Sequence, residues 1–306
     1  MAQLPIIIYH RGGQNYVSYV VAQAEKYNSE VYLLGNDDNR AITDKWYDCT
    51  VLDNAKLKKF KSVYEHMSFN PYQTEMFCFE SWFYYYEFAK LKGFKSFITM
   101  DSDVLLYNQM REEDFNDVDA AFGWSQLQEP FIWAYNPYIS YWRLDVLNNF
   151  LDFCIDTYIN SKEEVLLKWK YHCNTGRKGG ICDMTLLYLW SQSGVKIKNI
   201  ICKLDYNNGV YDLAIMGNGK NYLDKEFKCD KLLKIKKVRF IKRIPYFITP
   251  QNNLVKVNAI HCIGWTKRYI PAFYEGKNNK IYYLCANIKA FIARCMSFCN
   301  RKLQLK

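Results

Sequence analysis

An α/β fold with a mostly parallel sheet flanked by helices is what this sequence predicts, and three observations predict it. An apolar run at Pro5–Tyr9 is followed by helical spacing from Tyr16 to Tyr27 (Val17, Val20, Val21, Ala24) and by a second run at Glu30–Leu34. That order is the βαβ unit that opens parallel, nucleotide-binding sheets. Phe97, Ile98 and Met100 then form a continuous apolar run, as a strand buried on both faces does. Long helical segments at Gln73–Lys92 and Leu144–Ile159 supply cover for the sheet.

The remaining elements follow in order. His10–Gln14 is a glycine-containing loop after the first strand, and Asp37 follows the second. His10 and Asp37 stand where such a unit holds a base and ribose, although Asp37 also reads as a turn residue beside Gly35. No Gly-x-Gly-x-x-Gly occurs, so a dinucleotide cofactor is not indicated. A short strand is expected at Asp48–Asp53, and Asn70-Pro71 starts the long helix. Glu80 and Tyr84–Tyr86 within that helix read as packing. An acidic turn, Glu112–Asp119, leads to a strand at Ala120–Trp124 and an aromatic stretch, Pro130–Trp142. Trp124, Trp133, Tyr135 and Trp142 suit either a core or a sugar-stacking wall. Gly179 and Gly180 end a loop in which backbone can approach a ligand closely. Asp183 falls in the first turn of the helix beyond it, as a capping acid or a catalytic one. Strands are expected near Lys196–Cys202 and Asn253–Cys262, with a lysine-rich stretch between.

The chemistry concentrates at Asp101-Ser-Asp103, between the apolar runs Phe97–Met100 and Val104–Leu106. Carboxylates at i and i+2 of extended chain point the same way, and at a strand end they converge on one hard cation, Mg²⁺ or Mn²⁺. The carboxyl ends of parallel strands are also where ligands bind in such sheets. The other reading is a solvated turn.

Composition narrows the class. The net charge is +10, divided as 21 Lys/Arg against 27 Asp/Glu in residues 1–219 and 20 against 4 in residues 220–306. A basic end on an acidic body implies an anionic partner. The 11 cysteines include no Cys-x-x-Cys pair, which argues against a disulfide framework or zinc ribbon and suits a reducing cytoplasm. The N-terminus lacks the basic region of a signal peptide, and no apolar run has bilayer-spanning length.

Near the end of the body stands His261-Cys-Ile-Gly-Trp-Thr-Lys267. It resembles the His-x-x-Gly-x-x-Lys element of GT-A glycosyltransferases, known best in the glycogenin-like family 8. The resemblance spans roughly residues 5–270 and implies a Rossmann-like GT-A domain over 1–275. It implies that Asp101, Asp103 and His261 bind Mn²⁺ or Mg²⁺ and that Lys267 holds the diphosphate of a uridine diphosphate sugar, with Asp101 also facing the donor. Gly179, Gly180 and Asp183 resemble the segment over the donor sugar. Asp183 is then the general base of an inverting enzyme or steadies the sugar in a retaining one. Arg268 stands where family 8 usually has proline, and Cys-Asp-Met replaces Asp-Gln-Asp, so stereochemistry does not carry over. A haloacid-dehalogenase-like phosphoryl transferase and a non-enzymatic basic protein are the rival classes; Leu105 stands where the former has Thr or Val.

Residues 276–306 read as a basic amphipathic tail, with Ile281, Leu284, Ile288, Phe291, Ile292, Cys295 and Phe298 on one stripe. The expectation is a cytoplasmic protein at the inner face of the cell membrane, with a glycan or lipid-linked glycan as acceptor and no nucleic-acid partner.

Overall fold

A computed structural model describes residues 3–52, 54–124, 131, 133–201, 209–216, 226–230 and 233–277, with 284, 285 and 288. Its first half alternates β1 (Ile6–Tyr9), α1 (Tyr16–Glu25), β2 (Val31–Gly35), β3 (Trp46–Asp48), α2 (Ala55–Val63), α3 (Tyr72–Lys92), β4 (Ser96–Asp101) and β5 (Val104–Leu106). Then come β6 (Ala120–Gly123), β7 (Asn136–Arg143), α4 (Leu144–Ile159), α5 (Glu163–Thr175), α6 (Asp183–Ser191) and β8 (Ile197–Asn199). Short strands β9 (Val210–Tyr211), β10 (Cys229–Asp230), β11 (Ile235–Lys236), β12 (Val238–Ile241) and β13 (Ile244–Ile248) precede β14 (Leu254–His261) and α7 (Ile270–Phe273).

The main sheet has the order β3-β2-β1-β4-β7-β6-β8. All its pairings are parallel except those of β7, which runs against both β4 and β6. The fold is therefore mixed α/β with a mostly parallel sheet flanked by helices, as expected. Residues alternate across its strands: Ile6 and Ile8 join one core, and Ile7 and Tyr9 the other. The first core also takes Val17, Val20, Val21 and Ala24 of α1, the spacing that marked the helix. The second is largely aromatic and is built from α3, α4 and α6. Trp142 lies at its centre, fully buried against Trp82, Phe122, Phe150 and Trp190.

Helix ends follow local chemistry. Gly93 closes α3 at φ 69°, and Gly176 closes α5 at φ 62°, both left-handed caps that glycine adopts without cost. Three helices were not expected: α2, α5 and the four-residue α7. In α2, Lys56, Lys58, Lys59 and Lys61 mask the short apolar face made by Leu57 and Phe60. In α5, glutamates and lysines likewise surround the few buried positions. The strand expected at Asp48–Asp53 ends at Asp48, where that side chain accepts from Thr50 N and turns the chain into a 3₁₀ helix. The lysine-rich stretch holds β12 and β13, which with β14, β5 and β9 form a second sheet. The proposed tail, residues 276–306, lies outside the described residues except at 276, 277, 284, 285 and 288, where Leu284 and Ile288 are exposed. Among the described residues no helix is long and apolar enough to cross a membrane.

Trp142→Ala removes the hub of the aromatic core and should cost about 3–5 kcal/mol of unfolding free energy, read by denaturant titration. A loss below 1 kcal/mol (roughly) would contradict this packing account.

Candidate active site

Strand order reverses beside β1, whose neighbours are β2 and β4, and this is where open α/β sheets bind ligands. Tyr9 and Asp101 are register partners at the carboxyl ends of β1 and β4, so His10 and Ser102 meet just beyond them. His10 Nδ1 lies 2.8 Å from Ser102 Oγ and its Nε2 lies 2.5 Å from Gln14 Oε1. A single neutral tautomer satisfies both contacts: Nε2–H donates to Gln14, and Nδ1 accepts from the serine hydroxyl. Burial lowers the His10 pKa, which favours that neutral form. His10 therefore pins the Asp-Ser-Asp turn from behind.

The turn then enters β5, which pairs antiparallel with β14, with Val104 opposite His261. Cys262 N donates to Asp103 O at 2.8 Å and locks this register. It delivers residues remote in sequence to one carboxylate. His261 Nε2 lies 3.3 Å from Asp103 Oδ1, and Lys267 Nζ lies 3.2 Å from Asp103 Oδ2. Lys267 comes from the 3₁₀ helix Gly264–Tyr269 that follows β14, and it also lies over the Tyr16 ring at 5.4 Å.

The charges are mutually dependent. Burial acts to raise the Asp103 pKa, but His261 and Lys267 hold it below the usual carboxylate range. Burial acts to lower those of His261 and Lys267, and Asp103 raises both. Asp101 opens onto solvent at the cleft although its carboxyl sits in a dense wall of protein; that wall, with Asp103 beside it, pushes its pKa up to about 7.

Donor atoms of Asp101, Asp103 and His261 all lie within 4.8 Å of one another. The His261 Nδ1–H donates to Leu213 O at 2.7 Å, and the ring stacks on Tyr138 with centroids 4.6 Å apart and planes 4° from parallel. Such fixing of one ring nitrogen turns the other toward a cation, as outer partners of metal-bound histidines do. Two carboxylates and one imidazole suit a hard or borderline divalent cation. Asp103 raises the His261 pKa, so a cation at Nε2 would compete with a proton there.

Asp183 faces the same pocket from the N-terminus of α6. It is 8 % exposed, its Oδ2 accepts from Trp82 Nε1 at 3.0 Å, and burial pushes its pKa up to about 6 against that hydrogen bond. The pocket, about 310 Å³, is lined by Asp101, Asp103, Asp183, His261 and Lys267, with Tyr9, Phe77, Trp82 and Tyr85 as aromatic walls. Larger hollows of 570 and 710 Å³ elsewhere are also lined by charged groups but, among the described residues, by no carboxylate–imidazole cluster.

Other expected site residues fall outside it. Gly179 and Gly180 do not line the pocket. Their backbone pairs with the 67–69 segment: Phe69 N donates to Gly179 O, and Ile181 N to Met67 O. A Cβ on Gly180 would fall 2.4 Å from Met67 O, so the glycine serves close packing. Asp37 is exposed in the loop after β2, beside Asn36, whose Oδ1 accepts from Gly12 N. Glu80 is paired with Arg11 and Lys61, away from the pocket. Trp82, Tyr138 and Leu213 were missed. A tryptophan in an aromatic helix and a backbone carbonyl carry no sequence signal of such roles.

No known protein family and no curated protein matches the sequence. Among solved structures the chain is similar to mouse xyloside xylosyltransferase 1 in its apo form, at 10 % identity and TM-score 0.47, over 66 % of this chain and 86 % of that one. It is also similar to a glycosyltransferase involved in the glycosylation of the major capsid of PBCV-1, at 11 % identity and TM-score 0.27, over 49 % and 66 % respectively.

Asp103→Asn should drop the pKa of His261, followed by NMR of the imidazole, because the carboxylate is what opposes burial there. An unchanged histidine titration would contradict the coupling.

Proposed function

We propose that the chain is a divalent-cation-dependent glycosyltransferase of the GT-A type, moving a sugar from a uridine diphosphate donor to an acceptor hydroxyl. One observation carries this reading. Asp101, Asp103, His261 and Lys267 meet at the end of β4, and Asp183 faces them across the same pocket. Asp101, Asp103 and His261 are the residues that would hold Mn²⁺ or Mg²⁺, which supplies positive charge for the diphosphate that leaves.

The chain's own groups then have distinct tasks. Lys267 presents a fixed ammonium that offsets phosphate charge in the ground and transition states. His10 holds Ser102 and so fixes the turn between the two carboxylates. Trp82 orients Asp183, which accepts the proton of the acceptor hydroxyl. Gly179 and Gly180 act through the position they give the start of α6 rather than by touching the donor. Asp37, exposed after β2, is the residue that would meet a donor's ribose. The basic stretch of residues 220–306 supports a setting at the cytoplasmic face of a membrane, with a glycan or lipid-linked glycan as acceptor.

The test is hydrolysis or transfer from a uridine diphosphate sugar, with and without Mn²⁺. Activity should require the cation, and Lys267→Ala should lower nucleoside diphosphate affinity and turnover together. Full turnover in excess chelator would overturn the reading. Asp183 works only as its anion, so activity should fall as pH drops through about 6. Asp183→Asn should keep donor affinity and lose transfer by about 10²-fold or more. A flat acid limb, or transfer at the original rate in that variant, would remove Asp183 from the chemistry.

A further inference from the structure

The second sheet has one face in the core and an outer face that is half-buried to exposed along β12, β13 and the start of β14. Register decides which side chains share a face: Arg239 pairs with Tyr246 and Ile241 with Ile244 across β12 and β13. Tyr246 pairs with Lys256 and Ile248 with Leu254 across β13 and β14. Val238, Phe240, Phe247, Val255 and Val257 take the inner face and pack on the first core. The outer face is left with Ile241, Ile244, Tyr246, Ile248 and Leu254, none of which belongs to either core. Ile241 is 37 % exposed and Leu254 40 %. Arg239 and Lys256 flank Tyr246, and neither has an ion-pair partner among the described residues.

The hairpin tip adds two more cations at a conformational cost. Lys242 and Arg243 are the two central residues of the β12–β13 turn, at φ 48° and 68°. Asn-Gly is the usual solution for such a turn, and L-residues with long side chains pay about 1 kcal/mol or more each to adopt it. Both side chains are exposed. The whole stretch between Asp230 and Glu275 contains no acidic residue.

An aliphatic row bordered by cations, on strands that carry no acid, matches one surface above others, the headgroup boundary of an anionic bilayer. A nucleic acid satisfies the cations but leaves Ile241, Ile244, Ile248 and Leu254 against polar phosphate. The chain's own end is no match, since residues 278–306 carry Lys280, Lys289, Arg294, Arg301, Lys302 and Lys306 and no acid. We propose that the outer face of β12, β13 and the start of β14, with the Lys242-Arg243 tip, is a docking surface for anionic lipid membranes. It goes beyond the transferase reading and shares its membrane setting, but the docking itself needs neither donor nor metal. Because β14 ends at His261, the same strand carries this surface at one end and the catalytic pocket at the other.

The experiment is co-sedimentation of the full chain with vesicles of phosphatidylglycerol and phosphatidylcholine, or of phosphatidylcholine alone, without donor or metal. The wild type should bind the anionic vesicles, release them at high salt and ignore the neutral ones. Lys242→Asn with Arg243→Gly gives the turn its favoured residues, so its thermal midpoint should hold or rise. Its affinity for the anionic vesicles should nevertheless fall about thirtyfold. Ile241→Asp should weaken binding and make the salt slope shallower, because it removes an apolar contact and offsets one neighbouring cation. Failure of the wild type to bind, equal binding to neutral vesicles, or an unchanged affinity in the turn variant overturns the proposal. So does a wild type that self-associates without binding lipid and becomes monomeric in Ile241→Asp, because a second copy is then the occupant. Metal-dependent donor hydrolysis that persists alongside any of these failures spares the transferase reading.

Discussion

The Asp103 carboxylate is the point on which the site depends. A buried carboxylate is costly unless positive groups surround it, and here the cations come from far along the chain. The pairing of β5 with β14 supplies them: it sets His261 on one oxygen and Lys267 on the other. The electrostatic need of one acid and the topology of the second sheet are thus the same constraint seen at two scales. Everything nearby reinforces it. Ser102 is tied to His10, His261 is tied to Leu213 and stacked on Tyr138, and Cys262 N is tied to Asp103 O.

That constraint also explains why the pocket is prepared for a cation. Asp101 stands beside Asp103 with its proton affinity raised, and no basic side chain is paired with it among the described residues. Such a carboxylate is released from repulsion by a divalent ion more effectively than by a proton. Asp183 is held by Trp82 on another wall of the pocket, and its charge raises the Asp101 pKa further. On the proposed reading, two carboxyl groups both pushed up chiefly by burial, one with Asp103 beside it and the other bonded to Trp82, divide the work between binding charge and handling a proton.

Much of this was legible in the sequence because it is local. The continuous apolar runs gave β1 and β4, the spacing of Val17, Val20, Val21 and Ala24 gave α1, and the bounds of α4 agree with its apolar pattern. Asp-x-Asp followed much later by His-x-x-Gly-x-x-Lys singled out the residues that the β5–β14 pairing joins. What was not legible is what depends on tertiary partners. Gly180 reads as a ligand loop but packs on Met67, and Glu80 needs Arg11 and Lys61, one of them on a helix hidden by lysines. Trp142 read as core or sugar platform, and it is the buried hub of a core. The amphipathic face of β12–β14 follows from register, which lysine-rich strands do not reveal until their partners are known.

The central claim is that Asp101, Asp103 and His261 form one cation site adjoining a diphosphate site at Lys267. Electron paramagnetic resonance of Mn²⁺ titrated into the full chain tests it most directly, with and without uridine diphosphate. The account predicts a single Mn²⁺ bound more tightly as pH rises, because the proton on His261 must leave. It also predicts that uridine diphosphate and Mn²⁺ tighten each other by the same factor. Mn²⁺ binding that is undiminished in Asp103→Asn, or that is indifferent to both pH and uridine diphosphate, would contradict it.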